Sequence, residues 1–190
     1  MSDTAMQGLY QQVILDHAKE KHGFGLAPSA DAHSHQVNPT CGDEITLQLQ
    51  LDDGAGDALA GRPSDTGRVD AGAGDARAGA GDAGAGDPGA GAAASPRIRA
   101  LQWEGQGCAI SQASASLLSD LVPGLTVNEL SERIDVFRVA MRSKGAIEPD
   151  EDLLGDAVVL GGASRYVARV KCAMLAWVAA EEALLQLEPR

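Results

Sequence analysis

Residues 52–96 interrupt the chain with a segment that has almost nothing to bury. Those 45 positions hold 14 alanines, 12 glycines and 8 aspartates, and the tetrapeptide Gly-Ala-Gly-Asp begins at Gly54, Gly72, Gly79 and Gly84. Leu59 and Val69 are its only branched or long apolar residues. Such a composition cannot offset the entropy of ordering a chain, so it predicts a flexible, acidic, disordered loop. A calcium-binding glycine–aspartate repeat needs regular nonapeptides with an apolar packing residue, and neither is present. Any fold must therefore be built from what lies on either side, as a single domain over 1–190 with this insertion inside it.

The two flanks bear this out by pattern. EITLQLQL (44–51) alternates Ile45, Leu47, Leu49 and Leu51 with polar residues, the period of a half-buried strand. RIRALQWE (97–104) is also strand-like, with Ile98 and Ala100 expected on one face and Leu101 and Trp103 on the other. The pair reads as adjacent antiparallel strands whose hairpin loop has been expanded, and closure entropy grows only slowly with loop length. Elsewhere the pattern is helical. Helices are predicted over 6–20 with Leu9, Val13, Ile14 and Ala18 inward, over 109–122, over 127–143 behind a Thr126–Glu129 capping box, and in a short piece over 150–160. A further helix is expected over 173–187, burying Met174, Trp177, Val178, Ala180 and Leu184. The fold class that results is α+β, a small antiparallel sheet of about three strands with helices packed on it.

The formal net charge of −12 argues against nucleic acid or an anionic membrane as the main partner, since both need a basic face. There is no run of about 18 apolar residues and no basic-then-apolar leader pattern, so a cytoplasmic location is expected. Three widely spaced cysteines fit a reducing compartment better than a disulfide framework.

Each cysteine stands at an expected boundary between elements. Cys41 lies in a Pro-Thr-Cys-Gly turn, Cys108 follows Gly-Gln-Gly and precedes a helix, and Cys172 follows an extended-looking RYVARVK before the last helix. A helix N-terminus favours thiolate over thiol, which makes Cys108 and Cys172 candidates for lowered pKa. Asp43 completes the set, because in an extended chain Cys41 and Asp43 point to the same side. Three thiolates and a carboxylate suit tetrahedral zinc, and Arg169 and Lys171 flank the third cysteine to offset the negative charge. Three cysteines buried as small hydrophobes is the plainer alternative, and no Cys-x-x-Cys pattern decides between them.

NPTCGDEI, GQGCAISQASASLL and ARVKCAMLAW, in that order, resemble the three signature segments of the IscU/SufU family of iron–sulfur assembly proteins, and LYQQVILDHAKEKHGFG resembles its first helix. The likeness spans nearly everything outside the insertion. It implies the small-sheet α+β fold and assigns the ligand positions to Cys41, Asp43, Cys108 and Cys172, with Gly42 leaving room for a partner's loop. Lys171 before Cys172, where IscU scaffolds have histidine, is similar to the SufU branch. That branch implies zinc, persulfide sulfur received from a SufS-type cysteine desulfurase with Cys41 as acceptor, and delivery to a downstream scaffold or apo-proteins. The alternatives are a scaffold carrying a transient iron–sulfur cluster, or a structural zinc module acting through protein interaction.

Other residues invite roles that are weaker. His33 and His35 have the i,i+2 spacing of one strand face, but the tetrahedron is already filled without them. His17 and His22 belong to the first helix and its end, where His22 is electrostatically favourable without further function. Ser111, Ser114 and Ser116 read as close-packing positions on a helix, there being no Gly-x-Ser-x-Gly elbow. The glycine-rich insertion lacks a phosphate-binding Gly-x-x-x-x-Gly-Lys-Ser/Thr pattern.

Overall fold

The structure, a computed structural model, describes residues 3–52 and 96–187. The insertion, apart from its two end residues, lies outside the described residues. Helix α1 (Asp3–Glu20) is followed by strands β1 (Ala32–Asn38), β2 (Asp43–Leu51) and β3 (Ile98–Gln106), then by α2 (Ala109–Leu121), α3 (Val127–Arg142), α4 (Glu151–Leu154), a 3-10 helix (Gly155–Arg165) and α5 (Val167–Leu185). The three strands form one antiparallel sheet in the order β1-β2-β3. This is the α+β architecture that the alternation in 44–51 and the helical periods require.

One face of the sheet carries Ile45, Leu47 and Leu49, each at most 3 % exposed, and α5 lies across it. Burying side chains of this size stabilises by roughly 1.5–3 kcal/mol each. Helix α2 sits between α5 and α1. Its Ala113, Ala115, Ser114 and Ser116 are small and fully buried, which lets it approach the alanines of α5 closely. Ser114 donates to the Ala173 carbonyl at 2.6 Å and accepts from Trp177 Nε1 at 3.1 Å, so the polar atoms of that contact are paired. Ser114 is a packing position, as the spacing implied. Phe137 of α3 stacks on Trp177 with centroids 4.0 Å apart.

Four local expectations are corrected. Strand β3 does not split its apolar residues between two faces: a register shift pairs Gln50 with Ala100 and Leu51 with Ile98, so Arg99 is an extra residue and Ile98, Leu101 and Trp103 are all buried. Leu9 of α1 faces outward at 56 % exposure, and Tyr10 packs with Val13 and Ile14 instead. Val178 is 36 % exposed, whereas Ala176, Ala179 and Ala183 join the buried face of α5. Helix α5 begins at Val167, six residues earlier than its apolar run, because the RYVARVK segment is helical from Val167 onward.

Thr126 caps α3 as a full box: its Oγ1 accepts from the Glu129 N–H at 3.2 Å and the Glu129 carboxylate accepts from the Thr126 N–H at 2.7 Å. Hydrogen bonding from the Thr126 backbone and side chain holds the Glu129 carboxyl below its ordinary value. Thr126→Ala is expected to cost about 1 kcal/mol, lowering the melting temperature by ~2–4 °C at neutral pH. A lowered carboxyl pKa stabilises above the unfolded value and fades as pH falls through the folded one. The difference between the two proteins should accordingly shrink in acid, as thermal melts across pH will show.

The ends of the insertion are pinned. The Asp52 N–H donates to the Arg97 carbonyl at 2.8 Å, Arg97 donates to the Gly124 carbonyl, and the Pro96 carbonyl accepts from Val127 N–H. The hairpin is therefore closed before the loop begins. Replacing residues 55–94 by a short Asn-Gly linker is expected to leave the melting temperature nearly unchanged; a large loss of folded protein defeats that expectation. Among the described residues, no helix is long and apolar enough to cross a membrane.

Candidate metal centre

The turn between β1 and β2 is set by Asn38 and Gly42. Asn38 is 4 % exposed; its carbonyl accepts from Gly42 N–H at 2.8 Å and its Oδ1 from Thr40 N–H at 3.1 Å. Gly42 has φ +75°, a left-handed conformation that glycine adopts without strain. That kink leaves Cys41 exposed on the turn and sends Asp43 inward, to 3 % exposure. Lys171 of α5 ties the turn down from outside, its Nζ donating to Thr40 Oγ1 at 2.9 Å.

Cys172 does not precede its helix. It lies in the second turn of α5, 7 % exposed, with its sulfur 3.6 Å from that of Cys41 and 3.9 Å from Asn38 Nδ2. Burial first, then hydrogen bonding to Asp43 and the neighbouring sulfurs, pushes the Cys172 thiol far above its ordinary range. The lowered pKa expected at a helix N-terminus is thus reversed, because the residue is inside the helix and beside a carboxylate. Cys108 does occupy the expected place, the N-cap of α2, and is exposed.

Asp43 joins the parts. Its Oδ1 accepts from Cys108 N–H at 3.1 Å. Burial acts to raise its carboxyl, but hydrogen bonding from Cys172, Cys41 and the Cys108 backbone outweighs burial and holds it below the ordinary value. Oδ2 is buried with no hydrogen-bond partner of normal geometry. Gly107 makes the approach possible, since a Cβ there would stand 2.7 Å from Asp43 Cγ and 2.5 Å from Ser111 Oγ. Ser111 donates to the Cys108 carbonyl at 2.9 Å and lies 3.8 Å from its sulfur.

Ligand atoms of Cys41, Asp43 and Cys172 lie within 4.8 Å of one another, and Cys108 lines the same cavity of about 600 Å³. Its wall is otherwise mostly apolar, with Ile14, Leu15 and Ile110, and Arg169 at the edge stacks over Tyr166. The donor set fits a divalent cation on three counts. A buried carboxylate oxygen has only the neighbouring thiols beside it and no hydrogen bond of normal geometry, the sulfurs of Cys41 and Cys172 are already near the ~3.8 Å that two thiolates sharing a tetrahedral zinc require, and zinc accepts both donor types. The sequence motifs named all four of these residues, and the glycine beside Cys108 marked a close approach; they gave Asn38 no role. The Asn-Pro-Thr turn was the available signal for it. His33 and His35 are exposed on the outer face of β1, His35 bonded to Thr46 Oγ1 at 2.9 Å, and neither joins a ligand group among the described residues.

An α+β domain that gathers three cysteines and a buried aspartate at one end of a small sheet defines a class of thiol-rich domains whose donor set fits a metal ion. The chain belongs to the family described as the NifU-like N terminal domain, whose model matches residues 9–78 and 92–185. It is 30 % identical over 181 residues to the zinc-dependent sulfurtransferase SufU of Bacillus subtilis, covering 95 % of this chain and 92 % of that protein. It is 27 % identical over 184 residues to the iron–sulfur cluster assembly scaffold protein IscU of Streptococcus pyogenes, covering 97 % and 87 %. The N-terminal part of a nitrogen-fixing NifU-like protein from Brucella abortus shares the fold, with a TM-score of 0.65 over 96 % of each chain at 19 % identity.

Proposed function

We propose that this domain is a zinc-dependent sulfur acceptor, acting in the cytoplasm, that takes persulfide sulfur from a SufS-type cysteine desulfurase for iron–sulfur cluster assembly. The observation that carries the reading is the contrast within one cluster: Cys41 is exposed on a turn, while Asp43 and Cys172 beside it are buried. Lys171 before Cys172 and the likeness to a zinc-dependent sulfurtransferase support the same branch.

Cys41, Asp43, Cys108 and Cys172 are the residues to hold the ion, and zinc bound there supplies positive charge that keeps sulfur as thiolate. The rest is the work of the chain. The Cys41 thiolate attacks the terminal sulfur of the donor persulfide; one S–S bond forms, the donor's breaks, and the donor cysteine leaves as thiolate with no net oxidation. Gly42 leaves space over that sulfur for the partner. Arg169 and Lys171 offset the negative charge of the cluster, and the Lys171–Thr40 bond positions the turn. The cavity wall of Ile14, Leu15 and Ile110 offers a persulfide an apolar surface on one side.

A second reading, a scaffold that assembles a cluster, draws on the three cysteines facing one cavity. Metal analysis combined with desulfurase assays separates the two. One zinc per chain, no visible absorption and stimulation of a SufS-type desulfurase is the expected result. Iron and acid-labile sulfide that pass to an apo-protein would instead select the scaffold, and zinc with no desulfurase response a structural module.

A further inference from the structure

A second group of metal-ligating side chains lies where α1 ends against α2. His17 stands in the last turn of α1, His22 just beyond it, and Asp120 in the last turn of α2. His22 Nδ1 is 2.6 Å from Asp120 Oδ2, His17 Nδ1 is 3.9 Å from the same oxygen, and the imidazole rings meet edge to face with centroids 4.9 Å apart. One ligand atom from each residue falls within 4.8 Å of the others.

The backbone holds this arrangement in place. Lys21, at φ +53°, ends α1 and turns the chain back over α2. The His22 N–H then donates to Ser116 Oγ at 2.9 Å, and the His22 carbonyl accepts from Trp103 Nε1 and Ser119 Oγ, both at 2.8 Å. Both polar groups of the His22 backbone are thus paired with the body of the domain. Gly23 packs so tightly there that a Cβ would stand 2.6 Å from that of Ser119. On the far side of the ring, Glu20 Oε2 is 3.0 Å from His22 Nε2. A carboxylate on one imidazole nitrogen directs the other toward a metal and fixes its tautomer. Ser116 Oγ lies 2.9 Å from His17 Nδ1, the nitrogen that also faces Asp120, so an ion held through that nitrogen takes the place of the Ser116 contact.

We infer that His17, His22 and Asp120 form a second site for a divalent transition-metal ion of the zinc or nickel class, separate from the cysteine cluster, with Glu20 orienting His22. Ligand atoms around a tetrahedral ion bound at 2.0–2.1 Å are ~3.4 Å apart. The His22–Asp120 contact must open by less than an ångström and the His17–Asp120 contact close by about half of one. His22 and Asp120, with side chains 40 % and 51 % exposed, have room for that shift. Imidazole and carboxylate donors without sulfur suit zinc or nickel, and exposure on one side leaves the remaining positions to water. The ion would clamp the end of α1 to α2.

The chain's four histidines are His17, His22, His33 and His35, so the controls are complete. Metal-free, reduced, full-length protein is titrated with zinc in competition with a chromophoric chelator, and separately with cobalt. Two classes of bound zinc are expected, and His22→Ala and Asp120→Asn should each weaken the histidine class by tenfold or more on the order of a lost ligand. His33→Ala and His35→Ala should leave it intact. The cobalt bound in that class should show no sulfur-to-cobalt charge-transfer band, a signature that separates it from any ion on the cysteines even if the sulfur-carrier reading fails. Circular dichroism verifies that each variant is folded, and His22→Ala decides the matter should His17→Ala not fold. No histidine-dependent class in the parent protein, or one abolished by His33→Ala or His35→Ala and not by His22→Ala, overturns the site.

Discussion

Cys41→Ala is expected to abolish stimulation of a cysteine desulfurase while leaving the domain folded. Cys41 is exposed on a turn and contributes nothing to the core, so in the metal-free protein the substitution should change stability by about 0.5 kcal/mol or less, while with zinc present the lost ligand reduces the stabilisation that the ion adds. Its reactivity is another matter, because persulfide transfer needs an accessible sulfur that can move. Cys172 is 7 % exposed inside α5, and Cys108 is the N-cap of α2 with its N–H held by Asp43. Moving either one disturbs a helix; moving Cys41 disturbs only the 38–42 turn. The deciding measurement is the persulfide itself. Protein incubated with a desulfurase and cysteine, alkylated and mapped by peptide mass spectrometry should carry the label on Cys41. A label confined to Cys108 or Cys172 would sink the assignment.

Asp43→Ala should lower zinc affinity by more than about a hundredfold, beyond the 10–100-fold usual for a residue that only supports a ligand. Its Oδ2 has no hydrogen bond of normal geometry, and an ion would satisfy it. Three cysteines with water in the fourth position can still retain zinc, so binding weakens without vanishing. Metal-free protein should behave differently. Losing the bond from Cys108 N–H costs about 1 kcal/mol, while removing a buried carboxylate relieves a desolvation penalty of similar size and opposite sign. The metal-free melting temperature should therefore move by only a few degrees. The increase on adding saturating zinc, in contrast, should shrink by ~2.7 kcal/mol, or roughly 5–10 °C for a chain of this size. Chelator competition and paired melts measure both quantities. Unchanged affinity would remove Asp43 from the ion's neighbours.

How much of this was legible in the residues varies with the range of the interaction involved. The alternation in 44–51 fixes which face of β2 is buried, because side chains in a strand alternate by covalent geometry. The Thr126–Glu129 box announced the start of α3 for an equally local reason. The four residues of the cysteine cluster could be named from motifs that surround each one. By contrast, the bulge at Arg99 was invisible, since a register shift is a property of two paired strands and not of either alone. The start of α5 was misplaced for another reason: RYVARV has β-branched and aromatic residues that read as extended, yet Val167 onward is the exposed first turn of a helix whose buried face begins at Cys172.

The amino-acid sequence by itself determined the fold class, the division of the chain by its Gly/Ala/Asp insertion, and the chemistry available at Cys41, Asp43, Cys108 and Cys172. Only the tertiary structure decided how those groups differ. Cys41 and Cys172 are 131 positions apart, and whether a sulfur is exposed on a turn or buried beside a carboxylate depends on α5 crossing the sheet. It also decided that His17 and His22 meet Asp120 about a hundred positions away, an encounter that no local pattern encodes. Exposure, pKa and metal geometry are set by what surrounds a side chain, and most of those surroundings come from distant segments.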